Sequence, residues 1–208
     1  MEIKHYDDMG DIGMDVMREV GSIGTGNAAT AVSGLLNTDV RITLPDVKIL
    51  GFNAAANYLG EPEEVVAAVL VQMSGDLKGI MLFLLKLDFI NAVTETILGC
   101  KIEDYSQMDE MAVSAVTEVG NIIISSYVSA LAGLSGMEIN LSVPAVSINM
   151  LGGILSDPMI EFGYETDKIM MITGSFILGQ HKLESSLLML PDIESLNKLL
   201  KKLVNAGE

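Results

Sequence analysis

Three polar side chains near the middle of the chain have the spacing of a single helix face. Ser114, Glu118 and Asn121 stand at i, i+4 and i+7, which places them within about 60° of one another around an α-helix. A carboxylate accepts hydrogen bonds, whereas a carboxamide both donates and accepts them. The pattern predicts a polar surface that can bind a partner. The simpler alternative is that an exposed Glu and Asn only contact water.

The segment 109–134, which carries these residues, is predicted to form one long helix. Ser106 and Asp109 offer oxygens that could cap its start, and Asp109 with Glu110 places negative charge at the positive end of the helix dipole. Apolar residues recur on the opposite face and would hold the helix against a core. They are Ala112, Val116, Val119, Ile123, Ala130 and Leu134.

The same arrangement occurs 99 residues earlier, where Asp15, Glu19 and Ser22 take the corresponding places. The match continues at Gly21 and Gly120, and at Pro45 and Pro144. With five extra residues in the second copy, Asp88 then aligns with Asp192, and each opens a predicted helix. Units of about a hundred residues are too long for a solenoid repeat. The sequence therefore predicts two duplicated half-domains, about 12–104 and 109–208, related by a pseudo-twofold axis.

The composition excludes several classes of protein. With 28 acidic and 12 basic residues the net charge is −16, and clustered Lys and Arg, which nucleic-acid binding needs, are missing from the sequence. The single cysteine, Cys100, permits no intrachain disulfide, and two distant histidines cannot complete a structural zinc site. The N-terminus is polar and acidic, unlike a signal peptide. A cytoplasmic protein without a metal of its own is expected.

The chain is apolar enough to require a membrane test. Its most apolar long run, 119–134, contains Asn121, Tyr127 and three serines, and Glu118 immediately precedes it. A membrane-spanning helix needs about 20 predominantly apolar residues. We therefore expect a buried core helix and no membrane insertion.

The first repeat is expected to begin with a mobile tail, 1–11, and a helix over 12–36. Small residues at Gly24, Ala28 and Ala31 lie on the side away from Glu19, where they would let another backbone approach closely. The glycine-rich run GSIGTG leaves open a phosphate-binding loop. That alternative needs a strand before the loop, whereas 15–20 has the pattern of a helix.

The rest of each repeat has the pattern of strands followed by a short helix. Strands are predicted at 40–44, 47–52, 65–73 and 79–85, with a helix over 88–98. The second repeat follows the same plan, with a looser stretch around Gly152, Gly153 and Pro158, a hairpin over 169–190 and a helix over 192–204. Hairpin-linked strands favour an antiparallel sheet covered by helices. We predict an α+β fold in a single domain spanning 1–208.

The repeated pattern resembles that of a known family. Asp/Ser-x-x-x-Glu-x-x-Asn, followed by 22 residues and a proline, is similar to the motif of the CheC, CheX and FliY phosphatases of chemotaxis. The second copy matches it fully, from Ser114 to Pro144, whereas Ser22 replaces asparagine in the first. Two copies without an appended domain most resemble the CheC branch. The resemblance implies an approximately six-stranded sheet with the two long helices side by side.

The resemblance also implies an activity, the hydrolysis of phosphoryl-aspartate on a CheY-like response regulator. The regulator would bring its own Mg²⁺ and lysine, so the phosphatase would need no cofactor and would only orient the attacking water. Asn121 is expected to hold that water and Glu118 to pair with the regulator's lysine. Glu19 should still dock a regulator, while Ser22, shorter than asparagine and with one donor rather than two, should hydrolyse weakly.

Three further expectations accompany the resemblance. Ser114 and Asp15 are predicted to help binding, although either could be an ordinary polar residue on a helix surface. The alternative function is a binding module or adaptor for phosphorylated CheY and for the deamidase CheD. A monomer is expected.

Overall fold

Two halves with the same order of elements make up the computed structural model, which describes residues 5–162, 168–179 and 181–206. The first half contains α1 (Gly10–Leu36), β1 (Val40–Ile42), β2 (Asp46–Gly51), α2 (Phe52–Leu59), β3 (Val65–Gly75), β4 (Gly79–Leu85) and α3 (Leu87–Leu98). The second contains α4 (Glu110–Ser135), β5 (Ile139–Leu141), β6 (Ala145–Met150), α5 (Leu151–Phe162), β7 (Lys168–Leu178), β8 (His181–Pro191) and α6 (Ile193–Ala206).

The described strands form one antiparallel sheet with six positions across it. The order is β1/β2, β7, β8, β4, β3 and β5/β6, because β1 and β2 both pair with β7, and β5 and β6 both pair with β3. Pro45 and Pro144 lie in the breaks between the outer strands, where a residue without an N–H is tolerated. The predicted α+β fold with an approximately six-stranded antiparallel sheet is confirmed.

The strand register shows that the two halves are related by a half-turn. Asp46 of β2 pairs with Thr173 of β7, and Ala145 of β6 pairs with Leu70 of β3. Ala145 is the counterpart of Asp46, and Thr173 is that of Leu70, so each half supplies the edge strands that complete the other. In the centre Phe83 pairs with Leu187, its own counterpart, and the pseudo-twofold axis therefore passes between them. The predicted pseudo-twofold duplication is confirmed.

Helices cover both faces of the sheet. Alternate residues of each strand point to opposite faces, so that Phe83 and Leu187 pack beneath α1, α3, α4 and α6. Leu82 and Leu188 pack beneath α2 and α5 on the other face. The two long helices thus share one layer, which leaves their outward faces for other contacts.

The two long helices cross at a small residue. A Cβ added at Gly24 would lie 2.6 Å from Cδ1 of Tyr127 and 3.0 Å from its Cα. The pseudo-twofold rotation relates this contact to one between Ala28 and Ile123. The two helices are therefore antiparallel, and their N-terminal parts lie at opposite ends of the pair. The predicted close approach is confirmed at Gly24; Ala28 is buried, and Ala31 is exposed.

The glycine-rich run of the first repeat lies inside a helix. Residues 21–26 belong to α1, without a preceding strand, so the phosphate-loop alternative is wrong. Thr25 within this run is buried, and its hydroxyl oxygen is 2.7 Å from that of Tyr127. The glycine-rich run of α1 therefore packs against α4.

The expectation of a mobile tail is wrong for its described part. Tyr6–Met9 forms a turn of 3₁₀ helix, and the buried Tyr6 donates a hydrogen bond of 2.6 Å to the carbonyl of Pro191. Gly10, rather than residue 12, begins α1. A buried aromatic ring thus ties this segment to the end of β8.

The looser stretch expected around Gly152, Gly153 and Pro158 is also wrong, because these residues lie within α5. Its counterpart α2 was likewise not predicted. Both helices bury apolar side chains against the sheet, among them Ala55 of α2 and Ile154 of α5. Tertiary packing here outweighs the weak helix propensity of glycine and proline.

Among the described helices, α4 alone is long and apolar enough to pass a composition test for a membrane span, and half of its most apolar window is buried. A single such helix is weak evidence, because core helices pass the same test. The residues at its centre, such as Val119 and Ile123, are buried against the sheet and the neighbouring helices.

Candidate functional site

The second polar triad lies on the outward face of α4. Asp109 caps the helix by accepting a hydrogen bond of 2.9 Å from the N–H of Ala112, and Gly136, at φ 63°, ends it in the left-handed conformation. Ser106, the other predicted capping residue, is instead in a 3₁₀ turn.

The apolar stripe of α4 faces the core as predicted. Five of its six members are buried and the sixth, Leu134, is half-buried. The opposite face therefore points outward. Along it, Ser114 and Glu118 are exposed and Asn121 is half-buried.

The two central side chains of this triad are available for external contacts. Within the described residues, neither Glu118 nor Asn121 makes a side-chain hydrogen bond or an ion pair. The helix itself contains two acids and no Lys, Arg or His. A carboxylate and an amide thus lie side by side on a surface that has no positive charge of its own on this helix.

A glycine beside Asn121 fixes how close the helix lies to the sheet. A Cβ added at Gly120 would lie 2.5 Å from Cγ2 of Val69, closer than atoms can pack, so only glycine allows this approach. Val69 belongs to β3 of the other half. The position of Asn121 therefore depends on a strand from the first repeat.

The first repeat has the same support with looser contacts. A Cβ added at Gly21 would lie 3.7 Å from Ile172, the counterpart of Val69, and 3.3 Å from Cγ of Pro45. The motif proline thus packs against the helix next to Ser22. This contact places the loop before β2 beside the first polar triad.

The first triad differs in its charge pattern. Asp15, Glu19 and Ser22 are all exposed on α1. Arg18 lies between them and donates a hydrogen bond of 2.6 Å to Asp15. Arg18 has no distinctive feature in the sequence until the repeats are aligned, which places it opposite Thr117.

Thr117 plays a local role in the second copy. Its hydroxyl donates a hydrogen bond of 2.6 Å to the carbonyl of Val113, within the helix. Its side chain therefore brings no charge to the second triad. The two sites lie at opposite ends of the helix pair. An arginine of α1 stands beside the first triad, whereas α4 has no Lys, Arg or His.

The tyrosine at the helix crossing has a structural role. Burial raises the pKa of Tyr127 above its ordinary value, although the hydrogen bond with Thr25 lowers it. A raised phenol pKa keeps this side chain protonated at physiological pH. It can therefore maintain the buried hydrogen bond that joins α1 and α4.

The two triads contain few side chains of the types that bind metal ions. In the part of the chain that the structure describes, no three His, Cys, Asp or Glu side chains cluster in a way that could bind a metal ion. A hard cation needs six or more oxygen ligands, or several waters with carboxylates. Each triad offers binding and orientation of a partner group.

Comparisons with known proteins bear on this arrangement. A model of the CheC-like family matches residues 12–49 and 111–148, equivalent stretches of the two repeats. A relative from Bacillus subtilis, named CheY-P phosphatase CheC, is 34% identical over 89% of this chain and 91% of its own length. The chain belongs to the CheC-like family.

Other relatives of this CheC-like chain agree with its fold. The Bacillus subtilis flagellar motor switch phosphatase FliY is 28% identical over 99% of the chain, which spans about half (53%) of that longer protein. The crystal structure of Thermotoga maritima FliY matches with a TM-score of 0.73 and 21% identity, covering 93% of this chain and 96% of the other. At that identity the structural match shows the shared fold.

Proposed function

We propose that this CheC-like chain is a phosphatase that hydrolyses the phosphoryl-aspartate of a CheY-type response regulator in chemotaxis. The carrying observation is the outward face of α4, where Glu118 and Asn121 have no partner among the described residues. The name of the Bacillus subtilis relative CheC, a CheY-P phosphatase, supports this substrate, and the name of FliY supports a phosphatase activity. The partner is a phosphorylated CheY-type protein.

The chemistry requires little from the phosphatase. Water attacks phosphorus, the bond to the acyl oxygen breaks, and the regulator's aspartate leaves as a carboxylate while inorganic phosphate takes the water's protons. Catalysis of such a transfer consists mainly of positioning and of charge stabilisation. In this proposal the regulator supplies Mg²⁺ and a lysine, and our chain has no cofactor of its own.

Asn121 is assigned to the attacking water. Its amide can accept a hydrogen bond from water and donate one to a phosphoryl oxygen while staying uncharged beside an anion. The close packing at Gly120 keeps the backbone of this residue in place. A fixed amide of this kind could hold water in line with the scissile bond.

Glu118 and Glu19 are assigned to docking. Each is exposed at the same register of its helix, where it could pair with the regulator's lysine. Ser114 and Asp15, one turn earlier, would add polar contacts to the regulator. Ser22 lacks the reach of an amide, so the first site would bind a regulator and hydrolyse its phosphate slowly.

The first site favours a second role, binding without rapid turnover. Arg18 partly neutralises Asp15, and a serine replaces the amide. A site of this kind suits an adaptor for phosphorylated CheY. We also propose association with the deamidase CheD, a monomeric state and a cytoplasmic location. Calorimetry with CheD would test the association, and sedimentation of the free chain would test the monomeric state.

The assay that tests the assignment is phosphate release from a purified phosphorylated CheY-type regulator. Asn121→Ala should lower kcat about a hundredfold, the usual effect of misplacing a reacting group by about 1 Å. Ser22→Ala is the matched control and should change the rate less than twofold. A larger loss at Ser22 would contradict the assignment, and an unchanged decay rate with the original chain would leave only the adaptor role.

A further inference from the structure

Large apolar side chains are exposed at matched positions next to both triads. Leu44 and Val143 are 85% and 88% exposed, and each directly precedes the motif proline of its repeat. Ile12 and Met111 are 63% and 64% exposed near the start of α1 and α4. Both pairs are 99 residues apart, the spacing of the repeat. Chance exposure would not select the same two positions in both copies.

These residues bracket the polar side chains. Met111, Ser114, Glu118 and Asn121 follow one another at i, i+3, i+7 and i+10, so they lie along one side of the helix. Pro45 packs at Gly21, which brings Leu44 close to the other end of the first triad. The matched register gives Val143 the corresponding place in the second copy.

Electrostatics shows why a phosphatase of this kind needs such residues. A free phosphate would be repelled by Glu118 and by the acids at the start of α4, Asp109 and Glu110, with no base on that helix to offset them. The phosphoryl group alone therefore cannot supply the binding free energy. It must come from contacts with the regulator protein that carries this group together with its own cations. Apolar contacts at the rim of the site can provide it, since burial of a large aliphatic side chain is strongly favourable.

We propose that Met111 with Val143, and Ile12 with Leu44, are docking pairs that bind the receiver domain of the phosphorylated regulator around its phosphorylation site. This inference rests on the proposed function and names the residues that supply affinity. Two exposed side chains per site fall well short of the roughly 800 Å² per partner that a stable complex buries. They suit the short-lived encounter that turnover requires.

The test separates binding from hydrolysis. The regulator is loaded with beryllofluoride, which mimics the phosphoryl group but cannot be hydrolysed, and its Kd is measured by calorimetry. Met111→Gln combined with Val143→Ser should raise Kd about tenfold, which is 1.4 kcal/mol. With phosphorylated regulator the same variant should raise KM about tenfold and change kcat less than twofold. Ile12→Gln with Leu44→Ser should weaken binding at the first site.

Matched controls identify the source of any change. Tyr58→Gln, on α2 at the opposite face of the sheet and 51% exposed, should leave Kd unchanged. Because Val143 lies on a loop, Val143→Ser alone should raise Kd without changing the unfolding midpoint in urea. An unchanged midpoint excludes a folding defect.

Each remaining outcome is decisive. An unchanged Kd in the Met111/Val143 variant, or an equal loss in Tyr58→Gln, would overturn the docking pairs while the phosphatase assignment stands. If the original chain binds the beryllofluoride complex but does not hydrolyse the phosphoryl-aspartate, the proposed function fails. A higher Kd in the Met111/Val143 variant would then still support the docking pairs. No binding at all would overturn both. A dimer of the free chain that the variant dissociates would show that this surface joins two copies, and would also overturn the proposal.

Discussion

The two triads differ in chemistry while the backbone that carries them is matched. Glu19 and Glu118 are identical and exposed, and the strands beneath them pair in the same register. The differences lie at three positions, where Asp15, Arg18 and Ser22 of the first copy stand opposite Ser114, Thr117 and Asn121 of the second. Duplication therefore kept the acid that we propose for docking and the strand register, and changed the residues that would act on the phosphoryl group.

The supports themselves are also unequal, which gives the largest expected effect on stability. Gly120→Ala would place a methyl group 2.5 Å from Val69, whereas Gly21→Ala meets Pro45 at 3.3 Å. Overpacking of this kind costs about 1–3 kcal/mol, offset by up to about 1 kcal/mol of helix propensity. Gly120→Ala should lower the free energy of unfolding by about 2 kcal/mol, and Gly21→Ala by less than about 0.5 kcal/mol, in urea denaturation. Equal effects would show that the two helices are supported alike.

The chemical difference can be tested by rescue. In an Asn121→Ala background, Ser22→Asn should restore hydrolysis about tenfold, or 1.4 kcal/mol in the barrier, because it places an amide at the equivalent position of the first helix. Phosphate release from the phosphorylated regulator measures it. Ser33→Asn, on the same helix beyond the crossing, serves as the control and should restore nothing. Failure of Ser22→Asn to rescue would show that more than the amide separates the two copies.

The smallest effect is expected at the ion pair of the first copy. Arg18 and Asp15 are both largely exposed, and surface pairs of this kind contribute about 0–1 kcal/mol. Arg18→Thr, which copies the second repeat, should change the free energy of unfolding by less than about 0.5 kcal/mol in urea. A loss above 1 kcal/mol would show that the arginine is structural and that the charge difference between the sites is incidental.

Local patterns predicted the parts of the site that depend on helix periodicity. The spacing of Ser114, Glu118 and Asn121, together with an apolar stripe on the other side, was enough to orient α4 and to find its twin. Two positions give the copies different charges, Asp15 opposite Ser114 and Arg18 opposite Thr117. Both are visible in the alignment, but only the ion pair in the structure draws attention to Arg18.

Other features could not be predicted because they depend on distant residues. Strand register between the halves is set by packing of the whole sheet rather than by any one segment, so the exchange of β2 and β6 was not foreseen. Residues 151–162 contain two glycines and a proline, which disfavour a helix locally, yet α5 forms against the sheet. The exposure of Leu44 and Val143 similarly depends on where the strand breaks fall.

The exchange of edge strands has a consequence for how this gene can be divided. Because β2 belongs to the sheet edge built on β7, and β6 to the edge built on β3, a fragment holding one repeat would carry a candidate-site helix without the strand beneath it. A fragment that contains only the second repeat, with Asn121, would lack Val69, which lies under Gly120. Neither site can therefore be isolated by truncation, and a defect assigned to one repeat can originate in the other.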